Sequence, residues 1–146
     1  MSFDLENEVW LPADAVPPRP FAGDHQSAQV LDNELYVVGG IHGGSSGKLQ
    51  IYSAANNSWR TGPSLPYATG AAATCVIDGK LYVAGGLVGG LGGASVATAA
   101  VFDPATQVWS EIAPLPYAHN HAAGGTDGEH FFVFGGRQGG PTTTVQ

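Results

Sequence analysis

The sequence predicts an all-β, turn-rich fold, and three observations carry that expectation. Glycine is abundant, with 22 of 146 residues, and it comes in doublets rather than at every third position as collagen requires. Only 12% of residues are charged, about half the usual share, so a long solvated helix or coiled coil is excluded. The apolar segments are short, alternate in polarity and are bounded by Asp, Asn, Gly and Pro, as half-buried strands are. With 43% hydrophobic residues the chain is not a disordered acidic tail.

The strands recur. Trp10, Trp59 and Trp109 are 49 and 50 residues apart, as are Phe3, Tyr52 and Phe102. Pro20, Pro66 and Pro116 are spaced by 46 and 50, and so are the doublets Gly39-Gly40, Gly85-Gly86 and Gly135-Gly136. Leu65-Pro66-Tyr67-Ala68 returns unchanged as Leu115-Pro116-Tyr117-Ala118. Each unit reads as four strands. A first strand such as Ala72 to Ile77 leads into a tight turn at Asp32-Asn33-Glu34, Asp78-Gly79-Lys80 or Asp127-Gly128-Glu129, where Asp, Asn and Gly accept φ > 0. The second strand follows (Leu35 to Val38, Leu81 to Ala84, Phe131 to Phe134) and ends at the doublet. After a Gly/Ser-rich loop, a third strand carries Tyr52 or Phe102 and a fourth carries the Trp.

This pattern resembles the Kelch repeat, and the resemblance covers nearly the whole chain. It implies a β-propeller of four-stranded antiparallel blades around a central channel. In that frame Gly39, Gly40, Gly85, Gly86, Gly135 and Gly136 give the backbone room near the axis, while Phe3, Tyr52, Phe102, Trp10, Trp59 and Trp109 pack between blades. The chain divides into a completing strand of a split blade (1–19), two blades (20–65 and 66–115) and an incomplete blade (116–146). Three blades are half a propeller, with two open apolar flanks. Followed head to tail by a second copy, the next Trp falls 47 residues after Trp109, close to the internal period. A homodimeric six-bladed ring is therefore expected; a piece of a longer single-chain propeller fits the same phasing.

Charge and motifs narrow the function. Lys and Arg number 5 against 12 Asp and Glu, a net of −7, so neither nucleic acid nor an anionic membrane is an expected partner. Cys75 is alone, forms no intrachain disulfide, and reads as a small buried hydrophobe. The first residues lack the basic and apolar regions of a signal peptide, so a cytoplasmic location is expected. Gly43-Gly44-Ser45-Ser46-Gly47 matches a nucleophile-elbow string without its strand–turn–helix context. Polar residues that depart from the repeat gather on one face: His25 and His121, each five residues after the landmark proline, with Ala71 between them in the series, and also His42, His119, Asn120 and Arg137.

These six residues are the candidate ligand site at the channel mouth. His119 and His121 could face one side of a strand, with His25 across the channel, but no carboxylate pair or second thiol accompanies them, and no metal or other cofactor is expected. No pair of carboxylates offers general acid–base catalysis, so no catalytic residue is assigned. The expected function is a non-catalytic binding module for a protein, a peptide or a small anion. The alternative that the resemblance implies is a carbohydrate-active propeller of the sialic-acid-mutarotase kind, with His25 or His121 moving the proton.

Overall fold

The computed structural model describes all 146 residues, Met1–Gln146, as short antiparallel strands without a helix. No helix is long and apolar enough to cross a membrane. A hairpin comes first, β1 (Phe3–Asp4) on β2 (Val9–Trp10). The first complete blade pairs β3 (Ser27–Leu31), β4 (Glu34–Val38), β5 (Leu49–Ser53) and β6 (Ser58–Gly62) in that order. The second uses β7 (Ala73–Ile77), β8 (Lys80–Ala84), β11 (Ala99–Asp103) and β12 (Val108–Ile112). Between β8 and β11 a small ribbon, β9 (Leu87–Val88) with β10 (Ala94–Ser95), stands out of the blade. The third blade has β13 (Ala123–Thr126) and β14 (Phe131–Phe134). The segment 142–146 lies along β14, bridging Phe134 to Val145, and Val133 and Gln146 exchange N–H···O bonds of 3.0 and 2.8 Å.

Local chemistry accounts for these elements. The turns Asp32-Asn33 (φ 50° and 59°) and Asp78-Gly79 (φ 49° and 67°) are left-handed at both positions, the two-residue hairpin geometry that follows strand twist. The third hairpin departs from the expected tight turn. Thr126 pairs with Phe131, leaving Asp127–His130 as a four-residue loop. The Asp127 carboxylate accepts from the backbone N–H of Glu129 (3.0 Å) and His130 (2.8 Å), which stabilises the wider loop. The loop after the second doublet also differs from expectation, because it folds into the β9–β10 ribbon rather than remaining irregular.

The blades meet through apolar faces. Tyr36, Val38, Leu49 and Ile51 of the first blade pack against Leu81, Val83, Ala100 and Phe102 of the second. Phe102 is completely buried, which contributes about 1.5–3 kcal/mol relative to exposure. Between the second and third blades the contact is thinner, with Ala73, Ala84 and Ala99 against Val133. The aromatic landmarks form cross-strand pairs: Phe3–Trp10, Tyr52–Trp59 and Phe102–Trp109 have ring centroids 5.2, 5.2 and 5.1 Å apart.

Near the axis the doublets allow backbone to touch backbone. A Cβ on Gly39 would lie 2.5 Å from the Thr69 carbonyl oxygen, and one on Gly85 would lie 2.6 Å from that of His119. Those carbonyls accept the N–H of Gly40 (2.8 Å) and Gly86 (2.7 Å), tying each blade to the next.

Candidate functional site

The chain enters each blade through three equivalent residues, His25, Ala71 and His121, with φ of 51°, 55° and 53°. A left-handed backbone is uncommon outside glycine, and here it recurs at three equivalent positions. The Ala71 N–H donates to the His25 carbonyl at 2.7 Å, and the His121 N–H donates to the Ala71 carbonyl at 2.9 Å. Just before each of them, Asp24 pairs with Ile41, Gly70 with Leu87 and Asn120 with Arg137 through reciprocal backbone bonds. The result is a continuous line of backbone hydrogen bonds at the entry to the three blades.

Ala71 has only a methyl group, so the imidazoles on either side of it meet. The His25 and His121 rings stand edge to face with centroids 5.1 Å apart. Nδ1 of His25 lies 2.7 Å from the Asp24 carboxylate. Nδ1 of His121 faces the Asn120 side-chain oxygen, while the Asn120 amide donates to Ser95 Oγ at 2.5 Å. Burial, then the neighbouring His25 and Arg137, hold the His121 imidazole below the usual histidine range. Beside this rim a cleft of about 470 Å³ is bounded by Ser95, Asn120, His121 and Arg137, with Leu91 of the β9–β10 ribbon on its wall.

The other candidates lie elsewhere. His119 is buried at 1% exposure; its Nδ1 meets the Gln146 side chain, and its Nε2 has no hydrogen-bonding partner. It does not share a face with His121, because the chain turns left-handed between the two rather than continuing as a strand. His42 is exposed on the loop after the first doublet and borders a separate cleft of about 400 Å³ with Phe21, Ser45 and Lys48. By register Arg137 corresponds to Ile41, so His42 sits one residue beyond the matching position. Within one chain no three His, Cys, Asp or Glu side chains are arranged around a common point. Sequence reasoning missed Ser95 and the ribbon that carries it; the string Gly89-Gly90-Leu91-Gly92-Gly93 was the available signal for a second hairpin.

Four-stranded sheets arranged face to face, with glycine doublets at their inner ends and a rim of loops above, define a β-propeller. The Kelch motif matches residues 25–66 and 68–116. The chain belongs to the Kelch-repeat family. It is similar to the Kelch-like protein terF of Aspergillus terreus, with 30% identity over 140 residues, covering 88% of this chain and 30% of that protein. An F-box/kelch-repeat protein of Arabidopsis thaliana is 35% identical over 95 residues, 64% of this chain and 23% of its own. Among solved structures, that of YjhT superposes with a TM-score of 0.72 at 22% identity, covering 80% of this chain and 45% of YjhT. The chain thus spans less than half the length of each of these proteins.

Proposed function

We propose that the chain is a non-catalytic Kelch-type binding module that closes with a second copy into a six-bladed ring and presents its ligand face at the channel mouth. The observation that carries this reading is a complementary pair of unfilled edges. On one side the first blade turns Ala28, Leu35, Val37 and Tyr52 toward a hollow of about 590 Å³, roofed by Met1, Val16 and Pro17. In the second blade the matching face, with Leu81, Val83 and Phe102, is covered by its neighbour. On the other side the third blade exposes Phe132 (38%), Phe134 (44%) and Val145 (62%). By register these correspond to Tyr82, Ala84 and Leu49, and Leu49 and Ala84 are buried against the next blade.

The backbone agrees with the side chains. Gly40 and Gly86 donate to the next blade, whereas the equivalent N–H of Gly136 has no backbone partner. The residue that would answer it in a second copy is Gly23, the counterpart of Thr69 and His119. Each contact would occur twice about a two-fold axis, so the ring closes. The β1–β2 hairpin would then supply outer strands to the blade begun by β13 and β14.

Mass in solution tests this. The expected result is twice the 14.9 kDa chain mass at micromolar concentration, reduced to a single chain by Phe134→Asp. A monomeric wild-type chain would sink the reading. It would favour the second one, in which these edges meet further blades of a longer chain, as the partial coverage of relatives suggests. The ligand class proposed for the mouth is a protein, a peptide or a small anion. Binding that is lost in Arg137→Ala or His121→Ala is the expected outcome, and binding indifferent to both would place the ligand elsewhere.

A further inference from the structure

We infer that the channel mouth of the closed ring is a divalent-metal site built from four imidazoles, His25 and His121 of each copy. The inference rests on the ring proposed above for its second pair of ligands. Its first pair lies within a single chain. Two imidazoles bound through Nε2 to one tetrahedral ion, each at the ~2 Å Zn–N distance, hold their centroids about 5 Å apart. His25 and His121 stand 5.1 Å apart, edge to face.

Both rings have Nδ1 against an oxygen acceptor, which favours the Nδ1–H tautomer and leaves Nε2 for an ion. Nδ1 of His25 is held by the Asp24 carboxylate, and Nδ1 of His121 by the Asn120 carbonyl oxygen. The Asn120 amide nitrogen is engaged on Ser95, which leaves its oxygen, an acceptor, toward the ring. Nδ1 of His121 therefore carries the proton, and its Nε2 presents a lone pair. A carboxylate or amide oxygen behind a ligand imidazole is the usual way that metal sites fix ring orientation. The second pair follows from the rim. The series His25, Ala71, His121 is linked by successive N–H···O bonds, and a second copy continues it with His25 directly after His121. Four of the six rim positions then carry imidazole around one axis, and the two copies place an ion on that axis.

The probe is Co²⁺, titrated into the assembled protein at neutral pH and followed by the visible bands of a tetrahedral ion, with Zn²⁺ as competitor. The expected result is saturation at one ion per two chains, displaced by Zn²⁺. His25→Ala and His121→Ala each abolish the bands, while His42→Ala and His130→Ala leave them. Both alanine variants should fold, since Ala71 already holds this backbone geometry at the equivalent position. A dimer that takes up no ion, or uptake that survives the double variant, overturns the site and leaves the ring standing. A monomeric chain overturns both. Uptake of one ion per chain overturns the four-imidazole arrangement.

Discussion

The indole N–H of Trp109 donates to the carbonyl oxygen of Pro63 at 2.9 Å, and Trp59 makes the same bond to Pro17 at 2.9 Å. In both cases the outermost strand of a blade is fastened to the linker that left the blade before it. The bond acts across a blade interface rather than within a sheet. Replacing Trp109 by Phe keeps most of the ring contact with Phe102 and removes the donor. The expected loss is about 1 kcal/mol, read as a lower denaturation midpoint with an unchanged m value. Trp10 is the third member of the series and is 67% exposed, with its indole unpaired. If the ring forms, its fluorescence shifts to the blue with rising protein concentration, and a concentration-independent spectrum argues against burial there.

The glycine doublets divide into filled and unfilled positions. At Gly86 (φ 105°) a Cβ would lie 2.0 Å from Thr69 Oγ1 and 2.6 Å from the Gly70 carbonyl. Gly86→Ala is expected to destabilise the chain by roughly 3 kcal/mol or more, through strain and forced separation of blades. At Gly135 (φ 66°) the nearest atom is the Thr142 carbonyl at 3.9 Å, so Gly135→Ala carries only the left-handed backbone cost of about 1–2 kcal/mol. Its larger expected effect is on association, because the equivalent Gly39 and Gly85 abut the next blade. Thermal melts and solution mass together separate the two effects.

Three exposed turns hold their carboxylates ionised well into acid. Backbone N–H groups of Glu129 and His130 pull the Asp127 carboxyl down to about 2. The Asn7 side chain and backbone lower Asp4, and the Ala105 backbone N–H followed by Lys80 lowers Asp103. A depressed carboxyl stabilises the fold above its unfolded pKa of about 3.9 and loses that contribution as pH falls toward the folded value. Stability should therefore decline between about pH 4 and pH 2. Asp127→Ala should flatten part of that slope in denaturation curves taken at successive pH values. An unchanged slope would mean that the turn contributes nothing in this window.

Cys75 is an internal probe of blade integrity. It is 2% exposed, and burial pushes its thiol up to about 12. The thiolate is the reactive form, so at pH 8 modification by a disulfide reagent should be slower than for a free cysteine by roughly a thousandfold on thiolate fraction alone. Labelling should accelerate only under denaturant. The linkage runs opposite to that of the carboxyls: a raised thiol pKa costs nothing below the unfolded value near 8.5 and removes stability as pH rises beyond it.

The blade pattern was legible because its determinants are local or strictly periodic. Asp32-Asn33 and Asp78-Gly79 announce tight turns by residue type, and Trp59 and Trp109 keep register across the repeat. The third hairpin was not legible, since Asp127-Gly128 looks like its siblings until Thr126 is seen to pair with Phe131. His119 misled for a different reason. Spacing of two residues implies a shared face only in an extended chain, and the positive φ of His121 breaks that rule. The meeting of His25 with His121 depends on the small side chain of Ala71 and on blade curvature, which lie outside local pattern.

The left-handed residues of the rim carry one more implication. At positions 25, 71 and 121 the main chain keeps one left-handed conformation and is linked along the series by backbone bonds alone, with histidine or alanine as the side chain. The chemistry of the mouth is thereby uncoupled from the stability of the scaffold beneath it. Such positions behave as exchangeable letters: a lineage or an engineer could rewrite what the opening recognises, one residue at a time, without renegotiating the fold.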